Sequence, residues 1–143
     1  MPAKNQIVEE YARMWPREVF DCLVTNENDG KKKILGRDLE LLSKPGVYVL
    51  YRDDIPYYIG QALRLRHRLW GHARIPGTRY GNFWNYFSAF VIRDPKMRDE
   101  IEGILIAAMP TANSAKPKLK RAKFPPVVTR MVRQIRKYRA NPV

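Results

Sequence analysis

Gly46-Val47-Tyr48-Val49-Leu50-Tyr51-Arg52-Asp53-Asp54-Ile55-Pro56-Tyr57-Tyr58-Ile59-Gly60 reads as two short strands joined by a tight acidic turn. Val, Ile and Tyr fit a pleated, half-buried surface, and Asp-Asp suits the connection between them. A three-residue turn, Arg52 to Asp54, sorts the two faces. It sets Val47 against Ile59, Val49 against Tyr57 and Tyr51 against Ile55 on an apolar side. The other side sets Gly46 against Gly60, Tyr48 against Tyr58 and Leu50 against Pro56. A two-residue turn slips the pairing by one and mixes the faces, so the pattern favours the odd loop. Two phenols then lie side by side between two glycines, with no side chain at the rim to block a large substrate. An ordinary hairpin with tyrosines on its wet face fits these fifteen residues equally well.

The chain has 143 residues, one domain's worth with some appendages. It carries 27 Lys and Arg against 14 Asp and Glu, a net charge of +13. Such an excess repels itself in the folded state and suits a polyanionic partner, nucleic acid first and an anionic membrane surface second. A single cysteine, Cys22, excludes an intrachain disulfide and a CxxC metal cluster. No apolar run reaches the roughly 18 to 20 residues that span a bilayer, and no signal-peptide core opens the chain. These features imply a soluble, cytoplasmic or nucleoid-associated protein, and nucleic acid, not a membrane, is the expected partner.

Residues 1–43 form an N-terminal extension. Ile7, Tyr11 and Met14 have helical spacing within Gln6 to Trp15, Asn26 to Gly30 is a polar turn, and Arg37 to Ser43 suits a short helix. Residues 44–115 hold the hairpin, a basic helix from Ala62 to Ala73, and a Gly/Pro-containing loop from Arg74 to Asn82. A third strand over Phe87 to Ile92 follows, then a helix from Pro95 to about Met109 with Asp94 as its cap. The expected fold is α+β, a small three-stranded antiparallel sheet flanked by helices. Residues 116–143 form a basic tail without an acid. Lys116, Lys118, Lys120, Arg121 and Lys123 precede Pro125-Pro126. Val127 to Arg139 then fits a helix with Val128, Met131, Val132 and Ile135 as its apolar stripe and Arg130, Arg133 and Lys137 outside, beside Arg136. Such a tail adds salt-sensitive, sequence-independent affinity for nucleic acid, or is simply solvated.

Two features carry chemistry. Arg64, Arg68 and His72 follow one another at four-residue intervals and share a helix face. Guanidinium groups beside an imidazole suit the charge of phosphoryl transfer, though an exposed basic face is common. Glu102 is the one acid in Ile101 to Met109. It needs a partner or an ion if buried, or else it lies on an exposed stripe with Arg98.

Taken in order, Gly46-Val47-Tyr48, Tyr58-Ile59-Gly60, Arg68, His72, Glu102 and the Pro110-Thr111-Ala112-Asn113 segment resemble the GIY-YIG nuclease family. The resemblance covers residues 44–115, about half the chain. Val47 stands where the first motif has Ile, and Gly103 after Glu102 weakens its helix by about 1 kcal/mol relative to Ala. The resemblance implies a metal-dependent endonuclease that hydrolyses phosphodiester bonds of DNA, with RNA left open. Glu102 would ligate one Mg²⁺ or Mn²⁺ per site. Arg68 would stabilise charge on the scissile phosphate, and Tyr48 and Tyr58 would bracket the attacking water. His72 would support proton transfer or contact phosphate, and Asn113 would order the far edge of the site. One site cuts one strand, so cutting both needs a homodimer or successive nicks. The alternative is a non-catalytic nucleic-acid-binding protein on a nuclease scaffold.

Overall fold

The hairpin forms, but around a different turn. In a computed structural model that describes residues 6–25, 27–37, 39–74, 83–113, 117 and 119–140, Arg52 pairs with Ile55 and only Asp53 and Asp54 turn between them. Asp53 takes a left-handed φ of 56°, which short polar side chains tolerate better than bulky ones. Asn85 holds this turn with its side chain, which accepts from the Asp53 amide at 2.7 Å and donates to the Asp53 carboxylate at 2.9 Å. A two-residue turn alone would have mixed the faces. A bulge between Leu50 and Tyr51 restores them.

Beyond the bulge, Leu50 pairs with Tyr58, Val49 with Ile59 and Tyr48 with Gly60. The expected pairing is thus displaced by two residues. On this side of the bulge every side chain keeps its face, and Tyr48 and Tyr58 become diagonal neighbours rather than direct partners; nearer the turn Pro56 opposes Tyr51 and Ile55 opposes Arg52, so these two exchange faces. The glycines are not an open rim either. A Cβ on Gly60 would overlap the Tyr48 phenol, and one on Gly46 would overlap the Phe90 carbonyl.

The sheet has four strands, not three, in the order β1-β6-β4-β5, all antiparallel. The extra strand is β1 (Glu10–Pro16), where helical spacing led to the expectation of a helix. β4 (Gly46–Arg52), β5 (Ile55–Ala62) and β6 (Tyr86–Val91) complete it. Ile7 and Tyr11 are exposed, so they mark no core stripe. Ala12 instead buries itself, and the Tyr11 ring stacks on Phe90 across the ladder at 5.9 Å. By pairing with β6, the segment covers an edge that would otherwise present unpaired amides. β2 (Leu23–Thr25) and β3 (Lys32–Ile34) form a separate small hairpin. The short helix expected over Arg37 to Ser43 is replaced by 3₁₀ turns at Leu35–Arg37 and Glu40–Ser43. Asp38, Asn26 and residues 75–82 of the expected loop lie outside the described residues.

Alternation along β4 builds two apolar layers. On one face Tyr48, Leu50, Ala62, Phe87, Ala89 and Val91 pack with Leu65 and Leu69 of α1 (Leu65–Arg74) and with Phe20, Leu41, Leu42 and Trp84. On the other face Val47, Val49, Ile59 and Ile92 pack with Met97, Ile101 and Leu105 of α2 (Pro95–Ala108). Asp94 caps α2 as its sequence implies, accepting from the Lys96 and Met97 amides at 2.8 and 3.4 Å. Gly103 has a packing reason: a Cβ there would press on the Leu119 side chain, which arrives from the C-terminal segment. α3 (Pro126–Ala140) forms with no buried residue, and Val127, Met131 and Ile135 of its apolar side stay exposed. Among the described residues no helix is long and apolar enough to cross a membrane.

Candidate active site

Tyr48 is the most constrained member of the site. Its side chain is 1 % exposed, and a buried phenol needs a partner for its hydroxyl. α1 supplies one. Leu65 and Leu69 seat that helix on the sheet, and His72 then falls on the same side as Tyr48. The phenol oxygen lies 2.8 Å from His72 Nε2. Tyr58 closes the cluster, with ring centroids 6.3 Å from Tyr48 and 5.5 Å from His72. The two phenols therefore turn to α1 and His72. They do not face Glu102 directly, because α2 packs on the opposite side of the sheet.

Glu102 reaches the site around β5, the sheet's outer strand. Gln61, which points to the α2 side, bridges the gap: its Nε2 donates to Asp99 at 2.6 Å and to Glu102 at 3.3 Å. Glu102 is half-buried. Arg68, exposed on α1, lines a cleft of about 430 Å³ together with Gln61, Arg64, His67 and Arg98. Of the two alternatives for Glu102, the exposed stripe shared with Arg98 is not formed. Arg98 is 4 % exposed, and its Nη1 donates to the Ile92 and Arg93 carbonyls at 3.1 and 2.7 Å.

The charges of the site act on one another. Burial pushes the Tyr48 hydroxyl well above the usual phenol range; Tyr58 adds to the rise, Arg68 opposes it, and Glu102 adds a smaller push. Burial also lowers the His72 pKa from its ordinary 6.5, and the Arg68 charge lowers it further. At neutral pH the pair is therefore a protonated phenol against a neutral imidazole. Tyr48, Tyr58, Arg68, His72 and Glu102 thus share one electrostatic neighbourhood at one edge of the sheet.

Asn113 does something more local. Its Nδ2 donates to the Ile59 carbonyl at 2.7 Å, and its Oδ1 accepts from the Ile59 amide at 3.0 Å and from the Thr111 hydroxyl at 2.8 Å. The Ala112 amide also donates to the Tyr57 carbonyl at 2.8 Å. Asn113 thus stands in for a strand partner on the open side of β5 and holds the backbone that carries Tyr58. Lys120, Arg121, Lys123, Arg130, Arg133, Arg136 and Lys137 are exposed, and Lys120 and Arg121 lie beside α2, lining a cavity with Ile106 and Ala107; Lys116 and Lys118 lie outside the described residues.

Sequence reading missed Gln61, His67, Arg98 and Asp99. Two signals were available. Gln61 directly follows the second Tyr-Ile-Gly motif, and Asp99 precedes Glu102 by three residues on one helix face. Among the described residues no three His, Cys, Asp or Glu side chains gather as a metal cage. Mg²⁺ does not need one: it keeps several waters and binds through one or two carboxylates, and the hard oxygens of Glu102 and Asp99 beside the Gln61 amide are suitable donors.

No protein-family model matches the chain, and no curated protein matches it. Among solved structures it is similar to the GIY-YIG N-terminal endonuclease domain of UvrC from Thermotoga maritima, bound to its catalytic magnesium. The identity is 29% over 52% of this chain and 90% of that one, with a TM-score of 0.42. Two point mutants of that domain bound to the catalytic divalent cation match at 29% and 28% identity, each over 52% of this chain and 89% of theirs, with the same TM-score. The resemblance is to GIY-YIG nuclease domains.

The seat of Tyr48 is testable on its own. Gly60→Ala places a methyl where the phenol lies, an overpacking that costs about 1 to 3 kcal/mol. A lower denaturant midpoint and a shifted His72 imidazole resonance are expected; an unchanged resonance would show that the Tyr48 contact does not depend on the glycine.

Proposed function

We propose that the protein is a metal-dependent endonuclease that hydrolyses DNA phosphodiester bonds with one divalent ion per site. The observation that supports this most is the meeting of two phenols, an imidazole, a guanidinium and a carboxylate at the β5 edge, beside a basic cleft. Phosphoryl transfer calls for anionic and cationic groups together, because a metal needs carboxylate and the phosphate needs positive charge.

Glu102 would hold the ion, with Asp99 and Gln61 beside it. When bound, one Mg²⁺ or Mn²⁺ supplies Lewis-acid charge to the reacting phosphate. Arg68 offsets the charge that grows on the non-bridging oxygens as the water oxygen bonds to phosphorus and the sugar oxygen leaves. A phenol held above the usual pKa is a poor base by itself. The Tyr48–His72 contact removes the difficulty: as Tyr48 takes a proton from the attacking water, it passes its own proton to His72 Nε2. His72 then returns a proton to solvent, and the leaving oxygen collects one there. Tyr58 packs against both rings and flanks the water on the other side. Asn113 keeps that strand in register.

Nicking of supercoiled plasmid in Mg²⁺, absent in EDTA, tests the reading. Glu102→Gln is expected to abolish nicking and leave DNA affinity largely intact. Retained binding without any nicking by the wild-type protein would instead favour a DNA-binding role on the same scaffold. Arg68→Ala is expected to lower the rate about 10²- to 10³-fold, the loss typical of one oxyanion donor; a change below tenfold would remove Arg68 from the transition state. The pH profile carries a sign. A neutral His72 is required, and its pKa is lowered from 6.5, so the rate should hold at pH 6.5 and fall only below it. Stability follows the same group. The unfolded chain takes up the His72 proton first, so stability is full above about 6.5 and declines as pH drops toward the folded value. An acid limb at or above 6.5 would contradict the assignment of His72 as proton acceptor.

A further inference from the structure

The cleft beside the site contains a cation that the proposed chemistry does not use. Arg98 sits near the start of α2 and is 4 % exposed, yet it lines the cleft with Arg64, His67 and Arg68. Two backbone carbonyls, of Ile92 and Arg93, hold its Nη1 in place. Its Nε has no hydrogen-bond partner among the described residues, and neither of its hydrogen bonds goes to a carboxylate. A guanidinium carries five donors and a permanent charge. Carbonyl dipoles orient that charge without neutralising it, and a buried, uncompensated cation is costly. Arg98 shares the lining of this one open cleft with Arg64 and Arg68, a concentration of positive charge that suits an anion.

The cleft's position identifies the anion. It shares Arg68 with the catalytic cluster, and Gln61 connects its wall to Glu102. We propose that Arg98, with Arg64 and His67, binds a second backbone phosphate of the nucleic-acid strand, next to the phosphate that Arg68 serves. This rests on the nuclease reading for the identity of the strand. The planar fork of arginine suits a tetrahedral phosphate oxygen pair, and a second anchored phosphate fixes which phosphodiester reaches Glu102. Arg98 is then a positioning residue: it sets the register of the strand and takes no part in bond breaking.

The test is equilibrium binding of a labelled 20-base-pair duplex to the full chain in EDTA, across a salt series, so that no cleavage occurs. Arg98→Gln is expected to weaken binding several-fold and to reduce the slope of log K against log[salt] by about 0.9, the signature of one lost phosphate contact. Arg98→Lys should keep most of the slope. A fall in melting temperature with unchanged affinity and slope would make Arg98 a purely structural brace and overturn the proposal. If Arg98→Gln does not fold, Arg64→Gln, an exposed change in the same cleft, must show the loss of slope, and failure to do so overturns it equally. The two readings fail separately. A wild-type protein that never nicks but shows these slopes loses the nuclease reading alone, and nicking with unaltered slopes in both variants loses the second phosphate alone.

Discussion

The contact between the Tyr48 hydroxyl and His72 Nε2 ties three elements of the structure to one another. A phenol at 1 % exposure must find a partner or be lost. His72 can reach it only if α1 lies flat on the sheet, which Leu65 and Leu69 secure by burying completely. The phenol also needs somewhere to lie, and the missing side chain of Gly60 provides it. Three separate elements are thus committed to one hydrogen bond: β4 carries the tyrosine, β5 the glycine and α1 the histidine. The same burial makes the phenol hold its proton and makes the imidazole shed one. Structure and reactivity have a common cause here, since the desolvation that demands the contact also polarises it.

The site lies at the β5 edge because only there can both faces of the sheet contribute. α1 brings cations from one side and α2 brings carboxylates from the other. In the middle of the sheet the strands would separate them. An edge strand is ordinarily a weakness, with unpaired amides and freedom to shift. Asn113 and Ala112 correct this without adding a strand: they bond the β5 backbone at Ile59 and Tyr57 and leave the cleft open. The N-terminal segment does the corresponding work at the opposite edge, where β1 pairs with β6 along its length.

The parts of this arrangement that follow from local chemistry could be read directly from the residues. Alternation assigned Tyr48, Leu50, Val47 and Val49 to their faces, and Asp94-Pro95 marked the start of α2. Alternation has a limit, however. A shift of two residues leaves every side chain on its own face, so pattern fixes parity and not register. The absolute pairing depended on a bulge at Leu50 and on Asn85 gripping the turn from more than thirty residues away, and neither leaves a local mark. β1 failed for a related reason. Three apolar residues at helical spacing are weak support, and the strand's partner lies about eighty residues downstream. The place of Arg98 stayed open because a four-residue interval from Glu102 is equally compatible with an exposed stripe. Near the helix start the chain leading in from β6 covers that stripe, and its carbonyls accept the guanidinium.

Charge joins these observations. A net +13 favours an anionic partner and says nothing of where on the molecule it would bind. Most of the cations in the C-terminal segment are exposed on α3 or before it and can contact any phosphate they meet. Arg98 differs, because two carbonyls fix its orientation and burial removes the water that would screen it. A fixed charge can select one position along a repeating polyanion, whereas a mobile one can only hold the polymer nearby. On the proposed nuclease reading, selection matters most beside the Glu102 carboxylate, because an attacking water must meet one particular phosphorus atom. On the same reading the basic tail and the buried arginine would supply two distinct properties, general attraction and register, and the second requires the tertiary structure that brings α1 and α2 to the same edge.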